Sequence, residues 1–244
     1  MTYLSEHAFA NRTVVLIGGA TGIGFSVAQL VSQAAGTVVL GGRTAAKLES
    51  AAATLGARTS WQVVDTADPA SIDRFFEPVD SVHGLFTTAA TYVTGSIAEL
   101  SVEDAATPFE SKFWGQYRVV KSALPKLATD ASIVLMSGAA SVRPAGDAPA
   151  YVAANAAIEG LARGLAVELA PVRVNAIAPG TVNGNLWHQR DSDVRAAAFE
   201  HFSGASVLGR PVSEDEVALA AVHLLLNAAT TGSTVFPDGG YSLR

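Results

Sequence analysis

The chain has 244 residues, 49% hydrophobic and 16% charged, with a formal net charge of -6 and no cysteine. This length suits one large core, the acidic balance without a Lys/Arg cluster argues against a nucleic-acid groove, and the missing cysteines exclude disulfides, thiolate nucleophiles and zinc–thiolate clusters. No apolar run is long enough to span a bilayer, and the first residues, with Glu6 and His7, lack the apolar core of a secretory signal, so the expectation is a cytoplasmic protein without a membrane partner.

Strand and helix patterns alternate along the chain. Residues 14–17 read as a first strand, 24–35 as its helix closed by Gly36, 37–40 as a second strand and 45–55 as a second helix. A third strand over 61–64, a short helix over 70–76 and a fourth strand over 82–86 follow. Ser101 and Asp104 form a capping box for a long helix reaching to 127, with Pro108 placed to break or kink its beginning. The remaining elements are a strand over 133–136, an alanine-rich helix over 150–170, a strand over 173–177, a helix capped by Ser213 and Glu216 that ends near Asn227, and a strand over 234–236. Repeated strand–helix units with apolar strands imply a single-domain α/β fold over 1–244. It is expected to be a doubly wound, Rossmann-like parallel sheet of about seven strands with helices on both faces.

Val14-Val15-Leu16-Ile17 runs into Gly18-Gly19-Ala20-Thr21-Gly22-Ile23-Gly24, and a helix-periodic segment begins at once. Glycines allow a backbone to approach a diphosphate, and a helix N-terminus offers free N–H groups and partial positive charge. The same residues also make a plain tight turn; the strand before and helix after favour the phosphate site. The spacing Gly18-x-x-x-Gly22-x-Gly24 resembles the short-chain dehydrogenase/reductase family. Further matching pieces occur in family order: Asp65, Tyr151, Arg173-Val174-Asn175, Pro179-Gly180 and Asp238-Gly239-Gly240. The resemblance covers nearly the whole chain.

The resemblance implies a dinucleotide held by Gly18, Thr21, Gly22, Ile23, Gly24, Asp65, Thr66, Ala89, Pro179 and Gly180. At the end of the second strand stands Gly41-Gly42-Arg43-Thr44, without the carboxylate that would bind ribose hydroxyls and repel a 2′-phosphate. Arg43 offers paired donors to a phosphate and Thr44 a hydroxyl, which favours NADP(H) over NAD(H). The competing readings are a solvated helix-start residue for Arg43 and a strand-end cap for Asp65.

The catalytic set departs from the family. Tyr151 matches the tyrosine that gives or takes the proton, but the lysine four residues on is Asn155 and the serine position is Gly138. Ser137 and Ser141 are the neighbouring hydroxyls, with Ser137 the candidate substrate donor or else a strand-end hydroxyl. The family's asparagine on the preceding long helix is Lys112. Two readings of Lys112 stand: it supplies the missing cation from the opposite side while Asn155 takes an amide's role toward ribose or water, or it reaches solvent or pairs with Glu110 or Asp104. Thr87-Thr88-Ala89-Ala90 replaces an Asn-Asn-Ala-Gly pattern, and Gly184 replaces a threonine expected at the nicotinamide amide. No histidine or carboxylate spacing suits a metal.

A substrate lid is expected over 183–209, where Trp187, His188, Phe199, His201 and Phe202 either face an apolar substrate or pack as core; Tyr92 borders the same pocket. The small residues of the helix over 150–170 suit either its own sheet or a two-fold partner, implying a homodimer or homotetramer. The expected activity is NADP(H)-dependent interconversion of a carbonyl and an alcohol on a small, apolar substrate. The alternative is an NADP(H)-binding protein with little turnover, acting as a sensor or assembly partner.

Overall fold

A computed structural model describes residues 4–144 and 146–244; residues 1–3 and 145, which the expected domain includes, lie outside the described residues. The first half runs β1 (Thr13–Ile17), α1 (Gly22–Gln33), β2 (Thr37–Gly42), α2 (Ala45–Leu55), β3 (Thr59–Val63), α3 (Pro69–Phe76) and β4 (Val82–Thr87). The second half runs α4 (Val102–Pro108), a π-helical turn (Phe109–Trp114), α5 (Gly115–Ala123), β5 (Leu127–Met136), α6 (Pro149–Glu168), β6 (Arg173–Ile177), β7 (Val182–Asn183), α7 (Asn185–His188), α8 (Ser192–Ala205), β8 (Val212–Ser213), α9 (Glu214–Leu226) and β9 (Thr234–Val235). Seven strands form one sheet in the order β3-β2-β1-β4-β5-β6-β9. All its pairings are parallel. β7 and β8 make a separate short parallel pair that brackets residues 184–211.

Side chains of a strand alternate between faces, and both faces here are apolar. Val14 and Leu16 pack toward α1, α2 and α9 with Val27, Leu48 and Val217. Val15 and Ile17 pack toward α3, α5 and α6 with Phe75, Val120 and Ile158. Each such side chain, fully buried, contributes about 1.5–3 kcal/mol. The order reverses between β1 and β4, so their carboxyl ends open a crevice where ligands of doubly wound sheets bind. Thr88 N donates to Ile17 O at 2.8 Å and Gly18 N to Gly41 O at 2.8 Å, which ties the loops after β1 and β4 to that crevice.

The long helix expected to reach 127 is interrupted. Pro108 has no N–H to give, and the hydrogen-bond ladder widens over Phe109–Trp114 before α5 resumes. Leu124–Lys126, which contains Pro125, tightens into a 3-10 turn, and β5 begins at Leu127, six residues before the expected start at 133. β3 lies at Thr59–Val63 rather than 61–64 because it pairs with Val38–Gly42 of β2 in that register. No helix of the described residues is long and apolar enough to cross a membrane.

Candidate active site

The glycine loop lies at the switch point. A side chain at Gly24 would collide with the carbonyl of Gly18, and one at Gly18 with the Thr88 hydroxyl. These two glycines are therefore demanded by the loop's own closure. Gly22 differs: its φ is +61°, and a Cβ there would meet only Asn185 and the Glu214 carboxylate, 3.2 Å from Oε1. Among the described residues the N–H groups of Gly22, Ile23 and Gly24 find no acceptor, the first turn of α1 holds no acidic residue, and the Thr21 side chain makes no cap bond. This end of α1 is a free set of donors.

Glu214 closes the open side of this cradle. Its Oε1 accepts from Asn185 N at 2.5 Å, and a side chain at Gly184 would occupy the space its carboxylate fills. Arg43 is exposed just before α2, outside the salt bridges found among the described residues. Thr44 is the N-cap of α2 without a side-chain cap bond, so both groups are available to a ligand. Asp65 Oδ1 accepts from Ala67 N at 3.0 Å, a local turn that leaves its second oxygen free. Thr66 lies beside Gly115, where a Cβ would come 3.3 Å from its hydroxyl. Ala89 N lies against Gly18, while Pro179 O accepts from Ala139 N at 2.9 Å and Gly180 packs on Asp238. Asp238 in turn accepts from Gly240 N and Ser242 N, so the terminal Asp-Gly-Gly closes its own turn against Gly180. Arg173 likewise ties β6 to carbonyls at the end of α9.

Across the crevice, Lys112 is only 4% exposed. Its ammonium donates to Ser137 O at 2.8 Å and to Asn155 Oδ1, and lies 5.1 Å from the centre of the Tyr151 ring. The structure therefore rejects a lysine that reaches solvent or pairs with Glu110 or Asp104; Glu110 instead pairs with Arg118 at 3.2 Å. The π-helical turn aims Lys112 inward. One turn on, Gln116 anchors that helix to β5 by donating to Met136 O at 3.0 Å and accepting from Met136 N at 2.8 Å. Asn155 is wholly buried; its Nδ2 donates to Tyr151 O at 2.8 Å while its Oδ1 faces the ammonium. Both ends of that amide are engaged within the protein.

Burial alone would raise the Tyr151 phenol. The charge of the Lys112 ammonium opposes it, together with the hydrogen bond from the Tyr92 hydroxyl, and the phenol is held below its ordinary value. Burial pushes the Lys112 ammonium below the usual lysine range, and the neighbouring Tyr151 partly offsets this. An acidified phenol beside a cation is suited to moving a proton to or from an oxygen at the crevice.

Ser137 requires a correction. Its hydroxyl donates to Asn155 O at 2.9 Å and to the buried Glu159 carboxylate at 3.0 Å, on the side of α6. Only its carbonyl, through Lys112, belongs to the site. Ser141 Oγ is buried without a partner among the described residues. At Gly138 a Cβ would lie 3.4 Å from the Tyr151 hydroxyl and 3.1 Å from Asn155 Oδ1, so this position borders the proton-transfer centre without a side chain. In the segment after β7, Trp187 meets Phe199 edge-on at 5.8 Å and Arg190 stacks on Trp187 at 4.4 Å, whereas Phe202 packs on Tyr241 at 6.0 Å. Gln116 and Glu214 carried no expectation from the sequence. A polar residue one turn after Lys112, on the same helix face, was the available signal for Gln116; Glu214 was hidden in a capping segment.

Comparison with known proteins places the fold in a family. The family described as enoyl-(acyl carrier protein) reductase matches residues 18–242. Dehydrogenase/reductase SDR family member 6 of Rattus norvegicus is 29% identical over 241 residues, 95% of this chain and 98% of its own. The cis-4-hydroxycyclohexanecarboxylate dehydrogenase of Sinomonas cyclohexanicum is 30% identical over 96% of this chain and 98% of its own. An NADPH-bound short chain oxidoreductase from Pseudomonas aeruginosa PAO1, described as containing an atypical catalytic center, superposes with a TM-score of 0.88 at 28% identity, over 97% of this chain and 98% of that one. With a parallel sheet whose switch point carries the glycine loop, and a match over nearly its full length, the chain belongs to the short-chain dehydrogenase/reductase family of oxidoreductases.

Proposed function

We propose that this protein is an NADP(H)-dependent oxidoreductase that interconverts a carbonyl and an alcohol on a small, apolar substrate. The observation that carries the reading is the Lys112 ammonium, buried against Tyr151 and held by Asn155 and the Ser137 carbonyl. A bound NADP(H) supplies or accepts the hydride. The unpaired donors at the start of α1 suit its diphosphate, Arg43 and Thr44 its 2′-phosphate, and Asp65, with Thr66, Ala89, Pro179 and Gly180, the remaining walls. Tyr151 gives its proton to the carbonyl oxygen in reduction and takes it back in oxidation. Lys112 stabilises the phenolate in both directions. Asn155 fixes the ammonium, and the lid aromatics Trp187 and Phe199 exclude water.

NADPH fluorescence titration tests binding, and loss of NADPH absorbance with ketones, aldehydes and quinones tests turnover. Arg43→Ala is expected to weaken NADPH binding about tenfold or more while leaving NADH nearly unchanged. An equal loss for both nucleotides would overturn the assignment of Arg43. The Glu214 carboxylate beside Gly22 opposes a diphosphate, and Glu214→Gln is expected to tighten NADPH binding about fivefold at neutral pH, the effect of roughly 1 kcal/mol of repulsion in a wet site. Looser binding in that variant would assign the carboxylate a supporting role.

The bare Gly138 and the averted Ser137 hydroxyl favour a second reading, a dinucleotide-binding protein with little turnover; tight NADPH binding with no oxidation across the panel would select it. Self-association through α5 and α6 belongs to the same proposal. Gly160 and Gly164 leave open space on α6, and Tyr117, Leu124 and Val167 are exposed nearby.

A further inference from the structure

Gly138 leaves a gap in the chemistry. One hydroxyl, that of Tyr151, faces the crevice from α6, and the oxygen it keeps after giving up its proton carries negative charge that a further donor steadies. Ser137 has turned its hydroxyl toward Glu159. The loop after β4 brings a second hydroxyl instead. Tyr92 stacks on Tyr151 with ring centres 4.7 Å apart and planes inclined by 30°, and its hydroxyl donates to the Tyr151 hydroxyl at 3.3 Å. The would-be side chain of Gly138 points at the same Tyr151 oxygen, from 3.4 Å.

We propose that Tyr92 is a further catalytic residue, whose hydroxyl donates to the Tyr151 oxygen and so steadies the phenolate left when Tyr151 gives up its proton, in the place left bare at Gly138. The proposal rests on the oxidoreductase reading for its substrate. In reduction, hydride adds to the carbonyl carbon, the π electron pair moves to oxygen, and the Tyr151 hydroxyl gives its proton to that oxygen. Tyr92 donates a hydrogen bond throughout and makes or breaks no covalent bond.

The stacking explains why a tyrosine serves here. The ring of Tyr92 is held flat on its partner, so the two hydroxyls sit side by side with little freedom left to lose. The pair is chemically unequal. Burial, then the charge and hydrogen bond of Tyr151, push the Tyr92 phenol well above its ordinary value, with Arg190 of the lid opposing, whereas Lys112 holds Tyr151 down. Tyr92 therefore keeps its proton as a donor while its neighbour exchanges one. Lys112 from the π-helical turn and Arg190 from the lid are the charged groups that act on this pair.

Tyr92→Phe keeps the ring and removes the hydroxyl. The expected result is a fall in kcat of about a hundredfold, with NADPH affinity and melting temperature close to the wild type. The alkaline limb of the pH profile should move up by about one unit, because a donor to the phenolate has gone. Ultraviolet titration of tyrosinate, compared with and without Tyr151→Phe, should show the same upward shift in the protein alone. Tyr92→Phe with Gly138→Ser, which returns a hydroxyl to the same oxygen, should recover part of the lost kcat. Unchanged kcat and an unchanged Tyr151 titration would overturn the proposal, as would a loss confined to NADPH affinity or melting temperature. If the wild type binds NADPH but turns over nothing, the oxidoreductase reading fails and the tyrosinate titration alone decides whether Tyr92 acts on Tyr151.

Discussion

Tyr151→Phe is expected to lower kcat at least about a thousandfold while NADPH affinity stays within a few-fold of the wild type. Removing a positioned acid or base costs roughly two to four orders of magnitude. The hydroxyl serves chemistry here, whereas the ring, stacked on Tyr92, serves packing. A second consequence follows from Lys112. Lys112 holds the Tyr151 phenol below its ordinary value in the fold. An acid whose folded pKa lies below its unfolded one adds stability that is full above the unfolded pKa and is lost as pH falls through the folded pKa. Tyr151→Phe removes that contribution and should therefore melt below the wild type on the alkaline side, by an amount that shrinks toward neutral and acidic pH. Thermal melts across pH measure this separately from turnover. Activity that survives the substitution would remove Tyr151 from the proton-transfer role, whatever the melts show.

Local signals carried the scaffold. The β1 run, the glycines after it and the helical periodicity of α1 are contiguous, so strand, loop and helix were legible without knowledge of anything distant. Boundaries differ from the local pattern where a neighbour decides them. β3 follows the register of β2, and the 3-10 turn at Leu124–Lys126 releases Leu127 into β5 alongside β4. Within the site, the anomaly of Lys112 was visible as a lysine where the family resemblance places an asparagine, but the widened turn that buries it depends on Pro108 and on Gln116 gripping β5. The direction of the Ser137 hydroxyl was invisible for the same reason, since its acceptor, Glu159, comes from α6. Tyr92 was legible only as a pocket neighbour; its partner is 59 positions away.

Exchanging the two odd residues should show whether they form one device. Lys112→Met is expected to lower kcat about a hundredfold and to raise the alkaline limb, because the cation that favours phenolate has gone; each unit of that rise corresponds to about 1.4 kcal/mol. The fold should survive: an apolar side chain of similar length fills the space, and although Asn155 Oδ1 and Ser137 O lose a donor, the desolvation cost of a buried ammonium disappears as well. Asn155→Lys alone places a second ammonium against the first, and this variant should be destabilised and slow. Lys112→Asn alone should resemble Lys112→Met in rate. In the double variant the cation reaches Tyr151 from one turn along α6 and the amide comes from the π-helical turn, so the charge count and the hydrogen-bond pairing are both restored. Its kcat and alkaline limb should recover well beyond the product of the single effects, a coupling expected only of residues in direct contact. Strict additivity would mean that Lys112 and Asn155 act on Tyr151 independently. A Lys112→Met enzyme with unchanged rate and pH profile would mean that the buried ammonium holds the helix to β5 and does nothing for the phenol.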